Sequence, residues 1–212
     1  MRMEKLDLGK LEKGQILFQN RCLQELLDAS GKVHKKFDHV AIVIDKKTVI
    51  EATAEHGVAL ISIEDFLKEG KEVYIGKIKD PDICVKAADI ALKFLGYPYN
   101  YTFEDSIKRG FYCSQLVTKS FQIANGGIPY FKEDVLNFRN DKGEVPKFWI
   151  DYYKRYNMNI PEGVKGSHPS RLFEDEKIVQ KELLFKKKSI KPIIMPRHIA
   201  RKQSLPQRSL TF

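Results

Sequence analysis

A chain of 212 residues that is 42% hydrophobic and 31% charged has material for a sizeable core, and it is too apolar for a disordered or collagen-like polymer. No apolar run approaches the roughly 18 residues that cross a bilayer. The charged start Met-Arg-Met-Glu-Lys-Leu-Asp has no secretion signal, so the expected location is cytoplasmic unless a leader has been removed.

The net charge of +9 is unevenly spread: residues 186–212 hold eight basic side chains, from Lys186 to Arg208, and no acid, which leaves residues 1–185 nearly neutral. Prolines at 192, 196 and 206 argue against a long helix there. An anionic membrane is a candidate partner for this tail, beside the plainer reading of a solvated extension. Nucleic acid is not an expected partner, because the body lacks a basic patch interleaved with aromatics.

In chain order, residues 14–19 (Gly-Gln-Ile-Leu-Phe-Gln) read as a short strand, and Cys22 to Leu27 carry apolar residues at helical spacing. His39 to Ile44 and Thr48 to Ala54 are β-branched apolar runs, and Asp45-Lys46-Lys47 between them signals a hairpin. Ser62 followed by Glu64 and Asp65 marks a helix start, with serine as cap and acids in the first turn. Val73 to Ile78 reads as another strand. Asp80-Pro81 opens a helix with apolar residues at Ile83, Ala87, Ile90, Ala91, Phe94 and Leu95, and Gly96 is its predicted stop. A second helix starts near Cys113, buries Leu116, Val117, Phe121 and Ala124, and ends at Asn125-Gly126-Gly127. Residues 128–170 are aromatic-rich, carry prolines at 129, 146, 161 and 169, and are expected to be irregular. Lys177 to Phe185 reads as a last strand. No repeat or clean linker interrupts the body, so the expectation is one α+β domain over 1–185 and a basic, proline-containing tail over 186–212.

Three cysteines (Cys22, Cys84, Cys113) cannot all pair within one chain, and no CxxC occurs, which argues against a disulfide scaffold or structural zinc site. HExxH and phosphate-cradling glycine loops are absent as well, so neither metal nor cofactor is expected. Cys22 and Cys84 fit the apolar sides of amphipathic helices and read as packing residues. Cys113 differs, because the unpaired N–H groups and positive end of a helix favour thiolate and could hold an oxyanion. Taken alone, a cysteine at a helix start is more often structural.

A thiol nucleophile needs a base, and His34, His39, His56, His168 and His198 are available. His39 begins a strand, a rigid place from which to aim an imidazole. If the hairpin is centred on Lys46, residue 41 faces residue 51, and Glu51 shares a face with His39. A one-residue slip would turn Glu51 away. His39 as an exposed strand-end residue is the bland alternative, and His56 is the next base to test.

Gly96-Tyr97-Pro98-Tyr99 followed by Tyr112-Cys113-Ser114-Gln115-Leu116-Val117 resembles the Gly-x-Pro-Tyr and Asp-Cys-Ser-Gly-Leu-Val signature of NlpC-type papain-like cysteine peptidases. In those enzymes histidine follows cysteine, whereas here Asp38-His39-Val40-Ala41-Ile42-Val43 precedes it. That order resembles the circularly permuted YaeF/YiiX branch, as do Gly-Gln-Ile-Leu-Phe near the start and His168-Pro169-Ser170 near the end. The likeness spans about residues 12–185. It implies a permuted papain-like α+β fold, with an antiparallel sheet or barrel packed against the helix that bears the nucleophile. It also implies Cys113 as nucleophile, His39 as general base and acid, Glu51 as the group orienting it, and the Cys113 N–H in the oxyanion hole. Tyr99 matches a tyrosine that lines the substrate site, and Tyr112 is a second candidate substrate contact although it replaces the aspartate of the non-permuted motif. Gln115 stands where many permuted members have glutamate. Tyr99 as a packing aromatic is the alternative.

The expected activity is thus amide hydrolysis through a thioester, on a small or cell-wall-type peptide. A lipid-directed thiol esterase or acyltransferase using the same residues, and an inert binding module, are the competing readings. Oligomeric state is open.

Overall fold

The computed structural model describes residues 7–140 and 142–187. Most of the basic tail expected over 186–212 therefore lies outside the described residues.

Six strands form an antiparallel sheet: β1 (Ile16–Asn20), β2 (His39–Val43), β3 (Thr48–Thr53), β4 (Gly57–Ser62), β5 (Glu72–Ile78) and β8 (Ile178–Lys186), in the order β4-β3-β2-β1-β5-β8. A second, two-stranded ribbon pairs β6 (Asp134–Val135) with β7 (Lys165–Gly166). The helices are α1 (Gln24–Asp28), α2 (Ile63–Glu69), α3 (Pro81–Leu92), α4 (Cys113–Ala124), α5 (Lys147–Arg155) and α6 (Pro169–Glu174).

Alternation along the strands divides the sheet's apolar residues between two cores. Ile16, Phe18, Val40, Ile42 and Ile50 pack with Ile83 and Ala87 of α3 and with Leu116, Val117 and Phe121 of α4. Their neighbours Leu17, Ala41, Val43 and Val49 pack with Ile63, Phe66 and Leu67 of α2. Because both faces are covered, β2 is buried at every position, which explains its unbroken apolar run. A third cluster, Leu136, Phe138, Trp149 and Tyr153, joins α5 to the segment after β6.

Several expectations need correction. α3 ends at Leu92 rather than Gly96, and turns carry the chain to Gly96, whose N–H bonds Val58 O. β4 has no counterpart in the sequence reading, because Ser62 serves both as its last residue and as the α2 cap. Residues 128–170 are not irregular throughout: they contain α5, where Trp149 and Tyr153 are buried four residues apart on one helical face. Cys22 is not on a helix. It precedes α1 with φ of 68°, and its thiol lies 3.0 Å from Asn20 Oδ1. Cys84 is buried on α3 as expected, and burial together with the charges of Asp80 and Glu12 pushes its thiol up to about 12.

Candidate active site

β2 and β3 set the first two groups. Ile42 pairs with Ile50 and Val43 with Val49, the register centred on Lys46, so residues 41 and 51 are opposed. His39 and Glu51 consequently share a face in diagonal positions, and the imidazole Nε2 lies 2.6 Å from Glu51 Oε2. Both are buried, His39 to 5% exposure and Glu51 to 4%. Nε2 is taken by the carboxylate, which leaves Nδ1 as the nitrogen available to Cys113, the side chain that together with Glu51 favours the charged imidazole.

Cys113 is the first residue of α4, buried, with Tyr112 in extended conformation before it. Leu116 N–H is the first to bond within the helix, to Tyr112 O at 3.0 Å, so the N–H groups of residues 113–115 belong to the unpaired first turn. Gln115 secures this turn: its Oε1 accepts from Tyr112 N at 3.4 Å and from Asn100 Nδ2 at 3.1 Å, and its Nε2 donates to Glu104 O at 3.4 Å. A carboxylate could not make that last bond, which accounts for glutamine here.

The segment after α3 is zipped to the one entering α4. Phe111 N bonds Pro98 O, Asn100 N bonds Phe111 O, and Tyr99 and Phe111 form a parallel bridge. This close approach explains Gly110, whose φ is 96° and where a Cβ would sit 1.9 Å from Pro98 O. The zipper brings Tyr99 to the cavity wall beside Cys113. Burial and the nearby Cys113 push its phenol well up. Tyr112 lines the same cavity, but its hydroxyl accepts from Ser167 N at 3.1 Å and its ring packs on Phe103.

Burial disfavours the imidazolium, but the hydrogen bonds with Cys113 and Glu51 outweigh it and raise His39 from 6.5 to about 9, against a smaller opposing pull from Arg21. Glu51 moves the other way. Burial would raise it, and the His39 hydrogen bond with the positive charges of His39 and Arg21 overcomes that and lowers it. His39 and Glu51 are therefore both held in their charged forms near neutrality.

Sequence reasoning missed Arg21. Its Nη2 lies 2.9 Å from the same Glu51 oxygen that His39 uses, and its Nη1 lies 2.7 Å from Glu69 on α2. Asp38, buried, holds the loop in place by accepting from Arg21 N at 2.7 Å and Leu23 N at 2.6 Å. The only available signal was that Arg21 follows a strand. That Gln19 of this strand opposes His39 is a matter of sheet order. His56 lies apart from the buried group, exposed in the β3–β4 turn and 3.9 Å from Glu55.

A protein-family profile described as "Permuted papain-like amidase enzyme, YaeF/YiiX, C92 family" matches residues 10–180. The chain belongs to this family. Among solved structures, one described as the metalloprotein yiiX from Escherichia coli O157:H7 superimposes with a TM-score of 0.64 at 24% identity, covering 83% of this chain and 97% of that one. At that identity the likeness speaks for the fold, which is that of the permuted papain-like branch. A search of curated proteins returned no match. Membership of the family supports a cysteine amidase or peptidase acting on a peptide or other amide. Among the described residues, no helix is long and apolar enough to cross a membrane.

Proposed function

We propose that this protein hydrolyses amide bonds through a thioester on Cys113, with His39 as the proton carrier and Glu51 as the group that orients and charges it. The observation that carries this reading is the continuous buried line from the Cys113 side chain through His39 to Glu51 at the start of a helix.

An imidazolium maintained up to about pH 9 is the partner that a thiolate needs. The Cys113 sulfur attacks the carbonyl carbon, and the carbonyl electron pair moves to oxygen, which the N–H groups of the first turn of α4 can receive. As the C–N bond breaks, the proton on His39 Nδ1 passes to the departing nitrogen and a thioester remains. The neutral imidazole then takes a proton from water, whose oxygen adds to the thioester. Collapse expels the thiolate and restores the pair, so one amide and one water become one acid and one amine. Glu51 fixes the ring through Nε2 and stabilises the imidazolium. Arg21 holds Glu51 in place and ionised. Tyr99 and the Tyr112 ring wall the reacting centre.

The yiiX structure is described as that of a metalloprotein. Among the described residues here, no group of three or more His, Cys, Asp or Glu is arranged to hold a metal ion, so no step runs through one. The test is hydrolysis of small peptide amides by wild type and Cys113→Ala, with mass-spectrometric trapping of the acyl-enzyme. Turnover that survives Cys113→Ala would end the reading, and fatty-acyl esters cleaved faster than amides would replace it with the lipid one.

A further inference from the structure

The thiol opens onto a cavity of about 40 Å³, lined by Tyr99, Phe103, Leu136, Phe138 and Trp149, among others. A single water occupies at least ~10–15 Å³ by this kind of measure, and cavities that take up benzene are about 150 Å³. The space therefore suits a group of methyl to small branched size. Leu136, Phe138, Trp149 and Tyr112 are themselves core residues, at most 6% exposed, so the walls resist expansion.

Apart from the Cys113 thiol, the Tyr99 hydroxyl and Trp149 Nε1, the polar side chains around this cavity are already engaged by the protein. Asp38 accepts from two backbone N–H groups. His168 donates through Nε2 to Leu26 O at 2.9 Å and accepts through Nδ1 from Ser170 N at 3.1 Å. Ser114 Oγ donates to Ser167 O, and Asn137 bonds Ala29 O and Arg139 N. Arg171 binds Asp134 and the carbonyls of Ala29 and Val135. Trp149 Nε1 lacks a partner among the described residues, and the atom is itself fully buried. A polar or charged substituent entering here would lose its water and gain little in return. A small apolar one would lose nothing.

From this we infer that the cavity is a substrate subsite, resting on the amidase reading above, that selects a small, uncharged, apolar side chain of about alanine size next to the scissile bond. One methylene too many or too few in such a pocket changes kcat/KM by ~10–200-fold.

Two series of N-acetylated dipeptide amides test this with the full chain, one varying the residue before the scissile bond and one the residue after it. In one series kcat/KM should peak at alanine, with glycine and leucine at least ~10-fold lower and phenylalanine and lysine lower still. Leu136→Ala should move the optimum toward leucine. Ala29→Val, which fills the cavity from another wall, should move it toward glycine, so a folding failure of the first variant does not decide the matter. Phenylalanine or lysine accepted as well as alanine in both series overturns the inference while leaving the amidase reading intact. If no dipeptide is cleaved, alkylation of Cys113 by N-acetyl-aminoacyl chloromethyl ketones, in which the sulfur displaces chloride, should show the same ranking. Equal rates across that series also overturn the subsite. Absence of any alkylation removes the nucleophile, and the subsite with it.

Discussion

Two histidines are buried among the described residues, and their surroundings send them in opposite directions. His39, between a thiol and a carboxylate, is raised to about 9. His168, at the start of α6, is lowered to about 3, by burial first and then by the charge of Arg171, with only the Leu26 carbonyl favouring the charged form. Burial opposes the proton at both sites, so the partners decide. His168 donates from Nε2 and accepts at Nδ1, an arrangement that only the neutral ring can make. It caps a helix and ties α6 to α1. His39 has an acceptor at Nε2 and a thiol for its other nitrogen, the arrangement of a proton carrier.

The strongest way to break this contrast is to remove Cys113 or His39, the pair proposed to react. Cys113→Ala and His39→Ala should each lower kcat by on the order of 10⁴–10⁶-fold, measured on a peptide amide, with the fold retained by circular dichroism. Glu51→Gln should cost at least ~10-fold less than His39→Ala, because the amide can still accept from Nε2 while the charge is lost.

A pH titration sharpens the comparison further. His39 is raised above its unfolded value of 6.5, so its contribution to stability is complete below pH 6.5 and is lost as pH rises through about 9. Activity should fall over the same alkaline limb as the imidazolium loses its proton. His168 is depressed, so its contribution is complete above pH 6.5 and is lost as pH falls toward about 3. Replacing His168 with alanine should flatten the acid limb of a urea-unfolding series and leave the alkaline limb of activity unmoved.

The smaller effects concern the positioning of Glu51. Arg21→Met removes a positive charge that opposes the imidazolium, so the alkaline limb of activity should move to higher pH while kcat falls through looser placement of Glu51. Arg21→Lys should restore part of kcat. Loss of His168 itself should cost about 1–3 kcal/mol of stability, the penalty for leaving the Leu26 carbonyl and Ser170 N–H without their partner.

Much of the framework was legible along the chain. Ser62 and Asp80 cap the helices they were expected to cap, accepting from Asp65 N and from Asp82 N and Ile83 N, because a cap acts on its own next turn. The hairpin register about Lys46 was likewise local, and it placed His39 and Glu51 on one face. α5 escaped because Pro146 and the dense aromatics hide a nine-residue helix whose buried Trp149 and Tyr153 gain their environment from distant residues such as Phe103, Leu136 and Phe138. β4 escaped because a six-residue strand running straight into α2 has no turn signal at its end.

The amino-acid sequence determined which residues could act: a cysteine at a helix start, a histidine at a strand start, and a carboxylate across the hairpin from it. These depend on periods of a few residues and on hydrogen bonds between near neighbours, which composition and spacing record directly. Tertiary structure alone decided that Cys113 and His39 come together, that Arg21 reaches the Glu51 oxygen that His39 also uses, that His168 stays neutral, and how large the space beside the sulfur is. Those outcomes depend on strand order and on side chains tens of residues apart filling one volume, and packing of that kind leaves no periodic trace along the chain.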